Sequence, residues 1–230
     1  MARMRSLSLL IAAFLAAVAL EGAAAPFAVR LGTERLVLDA PYGFSDTTDL
    51  SSPRLQELAE SITAASNRIL VFAIPDADLR QFMNGEHMEL RRYMIAVTPK
   101  GIERERVDAR QFATFVDDAL RDLGKPAGEA DFAKALEGQA PGRPRLLSEL
   151  RRESGLVSVL QGARLPGKGG GFFEREKPQY LFSTTTLLWL RGKALNLSVY
   201  AGGPNGAPDI EWVKAVTQRW VEELQRLNAR

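Results

Sequence analysis

Tyr180-Leu181-Phe182-Ser183-Thr184-Thr185-Thr186-Leu187-Leu188-Trp189-Leu190 runs into Arg191-Gly192-Lys193 and then Ala194-Leu195-Asn196-Leu197-Ser198-Val199-Tyr200-Ala201. Two stretches rich in aliphatic, aromatic and β-branched side chains, joined by a short glycine-bearing turn, predict an antiparallel hairpin. Thr184-Thr185-Thr186 suits the first strand, because β-branched residues pack well on a pleated surface. Beyond the hairpin, Asp209 is placed to cap a helix. Val213, Val216, Trp220, Leu224 and Leu227 then recur at helical spacing as one apolar stripe. Lys214, Arg219, Glu222, Glu223 and Arg226 fall largely off that stripe. Their mixed signs predict a helix packed on a sheet rather than one lying on a membrane surface.

The same reading extends upstream. Arg35-Leu36-Val37-Leu38-Asp39-Ala40-Pro41 reads as a first strand, stopped by proline and the turn residues Tyr42-Gly43-Phe44. Ser52-Pro53 supplies an N-cap and a first-turn proline for a helix carrying Leu55, Leu58, Ala59 and Ile62. Residues 68–74 and 93–97 are apolar on both faces and end near Pro75 and Pro99, which predicts two interior strands. A second helix begins near Asp108 and presents Phe112, Phe115, Val116, Ala119, Leu120 and Leu123 before Gly124. Residues 125–154 turn toward Gly, Pro, Ala and charge and read as a mobile excursion, with short helices at 132–136 and 146–152. Residues 156–160 return to strand. The expected fold is an α/β or α+β sandwich: a mainly antiparallel central sheet packed by amphipathic helices, including a C-terminal helix.

The N-terminus has a different character. Arg3 and Arg5 precede an apolar run over residues 7–20, followed by Glu21-Gly22-Ala23-Ala24-Ala25-Pro26. A basic head, an apolar middle and a small-residue tail make a secretory signal peptide. Gly22 and Ala24 provide the two small side chains for cleavage after Ala24, whereas a cut after Ala25 would put Pro26 just past the scissile bond. The apolar run is shorter than the roughly 20 residues that span a bilayer, so no stable membrane span is expected after cleavage. The chain holds no cysteine, which excludes lipid attachment through a thiol, disulfides and thiolate catalysis. Residues 25–230 are expected to form one globular domain. In a cell with an outer membrane the product is periplasmic; otherwise it is secreted.

Removing residues 1–24 leaves 206 residues and takes Arg3, Arg5 and Glu21, so Lys plus Arg falls from 30 to 28 and Asp plus Glu from 28 to 27. A net charge of +1, without a stripe of one sign, leaves no electrostatic footprint for nucleic acid. Gly162-Ala163-Arg164-Leu165-Pro166-Gly167-Lys168-Gly169 matches the head of a phosphate-binding loop. It lacks the following Ser or Thr, and Gly169-Gly170-Gly171 would break the helix whose amides hold phosphate. His87 is the single histidine and stands in Gly85-Glu86-His87-Met88-Glu89, after Asp76 and Asp78, without zinc-ligand spacing. A polar loop between strands accounts for it without a metal. No G-x-S-x-G elbow exists to pair with His87. Trp189, Trp212, Trp220 and Tyr200 lie on apolar strands or helix faces and read as core. No cofactor motif, no metal site and no assignable catalytic residue emerges.

The order of elements resembles the PsbP/DcrB-like exported α/β proteins and their uncharacterised bacterial members. The likeness is carried by a strand into Pro41-Tyr42-Gly43-Phe44, a helix, further strands, a late hairpin through residues 192–201 and a C-terminal helix. It implies an accessory or binding role without established catalysis, and it transfers no site residues. The functional expectation is a non-catalytic accessory or interaction protein of the cell envelope, whose partner is an envelope protein. The alternative is an envelope hydrolase using carboxylate or Ser/Lys chemistry, which requires convergent polar groups in a cleft and a strongly shifted pKa. N-terminal sequencing of the exported product tests the leader: the expected first residue is Ala25, and any other start refutes the assigned cleavage point.

Overall fold

The computed structural model describes residues 25–166, 179–203 and 206–229. The expected leader, and the glycine-rich part of the phosphate-loop pattern from Gly167 onward, lie outside the described residues. Nine strands are described: β1 (Phe27–Leu31), β2 (Glu34–Leu38), β3 (Phe44–Asp46), β4 (Asn67–Pro75), β5 (Arg92–Pro99), β6 (Arg145–Glu153), β7 (Leu156–Arg164), β8 (Tyr180–Leu190) and β9 (Lys193–Gly203). The helices are α1 (Pro53–Ile62), α2 (Asp76–Met83), α3 (Ala109–Leu120), α4 (Phe132–Glu137) and α5 (Ala207–Leu227), with a 3-10 turn at Arg121–Leu123.

Seven strands form one antiparallel sheet in the order β3-β4-β5-β9-β8-β7-β6, while β1 and β2 make a separate hairpin. The β8–β9 hairpin pairs from Tyr180↔Gly203 to Leu190↔Lys193. Its two linking residues, Arg191 and Gly192, both have positive φ (51° and 75°), the geometry of a type I′ turn whose twist matches that of the strands. Directly opposed residues in such ladders share a face. One face carries Met94, Ala96, Leu160, Phe182, Leu188, Leu197 and Val199 and is covered by α5 and the β1–β2 hairpin. The other is covered in two places: α1 over Phe72, Ile74, Ile95 and Val97, and α3 over Val157, Val159, Leu187 and Ala194. A bulge in β4 between Ile69 and Val71 lets Leu70 and Val71 both enter the α5-side core.

The cap predicted at Ser52 forms, and the helix expected to begin near Asp108 is capped by that residue. Ser52 accepts from the Leu55 amide, with Pro53 opening α1. Asp108 and Gln111 make a reciprocal capping box on α3. Asp209, by contrast, does not cap α5: the N-cap is Gly206, and Asp209 sits inside the first turn as a buried carboxylate. Three further expectations are corrected. The first strand among the described residues is β1, whose Phe27, Val29 and Leu31 alternate toward the core. The stretch after Pro75, expected as loop, begins with helix α2, which turns Leu79 and Phe82 toward the α1 cluster. Residues 146–152, expected as helix, belong to edge strand β6, with irregular register against β7 at Leu146/Ser148 and Glu149/Arg151. The short helix expected at 132–136 is α4. Its Phe132 meets Tyr180 and Phe182 edge-on, and its Leu136 is buried over Gly162, where a Cβ would lie 3.0 Å from the Leu136 side chain.

The α5 stripe is buried at Val213, Val216, Trp220 and Leu224, with Leu227 half-buried. Trp220 is 1% exposed and its Nε1 donates to the Asp39 carbonyl at 2.8 Å. Thr184 and Thr217 exchange a hydroxyl hydrogen bond where α5 crosses β8, so neither polar group is stranded in the core. Lys193, also 1% exposed, donates Nζ to the Glu103 and Glu105 carbonyls and holds the loop before α3 against the hairpin turn. Trp220→Ala is expected to cost about 3–5 kcal/mol through lost transfer energy and a residual cavity. Glu223→Ala, which removes only a surface pair with Arg226, is expected to cost under about 1 kcal/mol. Lys193→Met strands two carbonyls and is expected to cost about 2–4 kcal/mol. Chemical denaturation of the three variants checks the ranking, and a Trp220→Ala protein as stable as the wild type would overturn the assignment of α5 to the core.

Candidate functional site

Where the chain leaves β2 it is pinned to α5 twice. Asn228, just past the helix, donates Nδ2 to the Val37 carbonyl at 2.7 Å and accepts from the Val37 amide at 2.9 Å. Trp220 binds the Asp39 carbonyl, as described above. The chain then turns through Pro41-Tyr42-Gly43, with Gly43 at φ +84°, into β3. The turn stands off the helix and leaves a groove of about 460 Å³ between them. Tyr42, Phe44, Trp212 and Trp220 line it, together with Asp39, Arg219 and Glu223.

Aromatic surface dominates this groove. Tyr42 is 73% exposed, the highest value among the large hydrophobic side chains described. Phe44 and Trp212 are half-buried and meet with centroids 5.9 Å apart at 38°. Arg92, from β5, lies over the Trp212 ring with its guanidinium carbon 4.3 Å from the centroid. The same guanidinium faces Asp209, Nη2 to Oδ1 3.6 Å, and the Asp209 side chain is buried. A carboxylate in the first turn of a helix is stabilised by the macrodipole, and the arginine offsets its desolvation. The Asp209–Arg92–Trp212 line therefore fixes the orientation of the indole that walls the groove. A planar guanidinium suits this double duty, since its face lies on the aromatic ring while its edge points to the carboxylate.

The groove also holds two carboxylates with opposite tendencies. Burial pushes the Asp39 carboxyl above the usual range, helped by the negative charge of Glu223. The hydrogen bond and charge of Arg226 hold Glu223 below it. Asp39 Oδ1 is a buried oxygen without a hydrogen-bond partner among the described residues. Elsewhere, burial raises Asp46 even though its carboxylate accepts from the Phe72 amide at 2.9 Å and from the Thr48 hydroxyl. That carboxylate closes the end of the β3–β4 pairing, and the negative charge of Asp49 also acts on it.

The sequence-flagged residues fall in separate places. His87 is exposed in the loop after α2, and no cluster of three or more metal-ligating side chains occurs among the described residues. Trp189 belongs with α3, stacking on Phe112 at 6.2 Å and donating Nε1 to the Val107 carbonyl. Trp220 is core, as read from the sequence, whereas Trp212 walls the groove and Tyr200 is half-buried on the opposite face of the sheet. Gly162 and Arg164, at the head of the phosphate-loop pattern, are strand residues of β7. Lys193, the buried lysine among the described residues, is engaged by carbonyls rather than by a serine. No helix among the described residues is long and apolar enough to cross a membrane. The groove residues Tyr42, Phe44 and Arg92 were not singled out from sequence as a site. The one available signal was Pro41-Tyr42-Gly43-Phe44, read there as a strand stop.

No protein-family model and no curated protein matches this chain. Among solved structures it is similar to the crystal structure of the Saccharomyces cerevisiae Ran-binding protein Mog1p, at 13% identity and a TM-score of 0.36, over 90% of this chain and 93% of that one. It is similar also to a point mutant of Mog1, at 12% identity and a TM-score of 0.36, over 90% and 94% of the two chains.

Proposed function

We propose that this chain is an exported, non-catalytic interaction protein of the cell envelope, which holds an extended segment of a protein partner in the groove between residues 39–44 and α5. The observation that carries the reading is the exposure of Tyr42 beside Phe44 and Trp212 in one concave surface. Tyrosine, tryptophan and arginine supply most of the energy at protein interfaces, because they bury large area at little entropic cost. Here the rings sit on a groove whose floor is tied to α5, so little order has to be imposed on binding. The N-terminal sequence supports export, to the periplasm where an outer membrane exists and to the medium otherwise. The order of elements supports a place beside the PsbP/DcrB-like proteins, and an accessory role is consistent with that likeness.

A second reading is favoured by one observation. Two carboxyl groups in the same groove, Asp39 raised and Glu223 lowered, have the divergent tendencies expected of an acid and a base. Under that reading Asp39 donates the proton and Glu223 accepts one, and Asp39→Asn abolishes turnover of the substrate.

The test places a photo-crosslinking residue at position 219, on the α5 wall of the groove, in the exported protein and identifies what it captures in intact cells. The expected result is a defined envelope protein, lost on Tyr42→Ser and on Trp212→Leu while the melting temperature of Tyr42→Ser is unchanged. Capture that survives both substitutions would overturn the groove as the docking site. Turnover on a hydrolase panel that is abolished by Asp39→Asn would replace the interaction reading with the second one.

A further inference from the structure

The face of the sheet opposite α5 is apolar at two places and polar between them. Gln161, Ser183, Tyr200 and Tyr93 stand opposite one another in a single row across β7, β8, β9 and β5. In the next row Thr185 and Ser198 lie between Val159 and Ile95, and in the third Asn196 lies between Leu187 and Val97. The flanking Val159 and Leu187 belong to the cluster under α3, and Ile95 and Val97 to the cluster under α1. Seven polar or phenolic side chains thus occupy the centre of a seven-stranded sheet, where apolar residues would bury more favourably.

Their chemistry is narrow. None carries a charge. Two carboxamides and three hydroxyls offer donors and acceptors together, and the sheet ladders occupy the backbone groups beneath them. Gln161 Nε2 donates to Thr185 Oγ1 at 2.9 Å, and Ser198 Oγ donates to Asn196 Oδ1 at 3.4 Å. Among the hydrogen bonds of the described residues, the Gln161 side-chain carbonyl and the Asn196 amino group are not engaged. At the β5 edge of the patch, Tyr93 and Tyr200 stack at 4.5 Å and 13°, with Phe72 on the far side of Tyr93 at 6.5 Å. Because the stack runs from β5 to β9, the other face of the Tyr200 ring is turned toward Ser183 on β8.

We propose that this patch is a binding site for a neutral saccharide. An anion would call for lysine or arginine and a cation for carboxylate, and the seven side chains include neither. An extended peptide recognised by a sheet adds to its edge through backbone hydrogen bonds, whereas this patch is central and presents side chains alone. Sugar hydroxyls are donors and acceptors at once, which matches paired carboxamides and hydroxyls, and the C–H face of a pyranose matches the face of the Tyr200 ring turned toward Ser183. The inference is independent of the groove, which lies on the α5 side of the sheet.

The experiment is isothermal titration of the full exported chain with maltotriose, cellotriose and triacetylchitotriose, beside a charged oligogalacturonate and a neutral peptide. At least one neutral trisaccharide is expected to bind. Gln161→Ala and Asn196→Ala are each expected to weaken it about tenfold, the effect of one hydrogen bond lost from a shielded site. Tyr42→Ser, in the groove, leaves that affinity unchanged. Where an alanine variant lowers the melting temperature, Thr185→Val removes a hydroxyl at nearly constant volume and replaces it in the comparison. Absence of binding by all three trisaccharides up to about 10 mM would overturn the proposal. So would affinity indifferent to these substitutions, or a preference for the charged sugar or the peptide.

Discussion

A single helix seated on a single hairpin governs much of this molecule. The apolar stripe of α5 lies on β8 and β9, and its burial removes Trp220, the largest of the fully buried side chains, from water. Because the Trp220 indole must find a partner for its N–H, burial of the ring also dictates where the Asp39 carbonyl lies. Asn228 repeats the arrangement one turn beyond Leu224, using both ends of its amide on Val37 and a third contact to the Leu224 carbonyl. Hydrophobic burial sets the position of the helix, and these directional bonds convert that position into the path of residues 37–44. The groove is what remains between the path and the helix, so its shape is inherited from the core.

This dependence explains which parts were legible in the sequence. Elements defined by local rules were: the β8–β9 hairpin, the capped starts of α1 and α3, the apolar strands β4 and β5, and the α5 stripe all follow from periodicity and capping within a few residues. Elements whose stability comes from elsewhere were not. Strand β1 is five residues long, and only its pairing with β2 and the burial of Leu31 make it a strand. Helix α2 has no side-chain cap and buries no residue fully, so its signal was weak. Strand β6 carries Arg151, Arg152 and two glutamates, and an edge strand tolerates such a composition because charge there discourages further pairing. Asp209 has the residue type of an N-cap, yet Gly206 supplies the positive φ at which the chain turns into the helix, and the carboxylate is drawn inward by Arg92.

The groove was illegible for a different reason: it is assembled from residues 39–44, 92 and 209–223, and no spacing rule links them. Trp212 and Trp220 look alike on a helical wheel of apolar residues, but they differ by their partners. Trp220 faces the sheet, whereas Trp212 lies past the end of β3, where Phe44 covers part of its ring and Arg92 part of its face. Parity in the strands hid the polar patch in the same way. Thr184, Thr185 and Thr186 are one run in sequence, yet Thr184 reaches Thr217 on α5 and Thr186 reaches Ser158, while Thr185 alone joins Gln161 on the opposite face. Alternation across the pleat turns one uniform stretch into two surfaces of unlike chemistry.

The buried Asp209–Arg92 pair shows how the fold tolerates a costly group where that group shapes a surface. A carboxylate taken from water loses several kcal/mol of hydration, and a single ion pair at 3.6 Å does not restore all of it. Asp209 Oδ2 indeed has no hydrogen-bond partner among the described residues. An apolar residue there would bury more favourably, but it would release Arg92 from the line that holds it against Trp212. The guanidinium would then be free to turn to water, and the indole would lose the contact that keeps it upright beside Phe44. The stability given up inside the first turn of α5 is thus matched by rigidity at the groove wall, and rigidity in the unbound protein is what lets an aromatic surface bind without first being ordered.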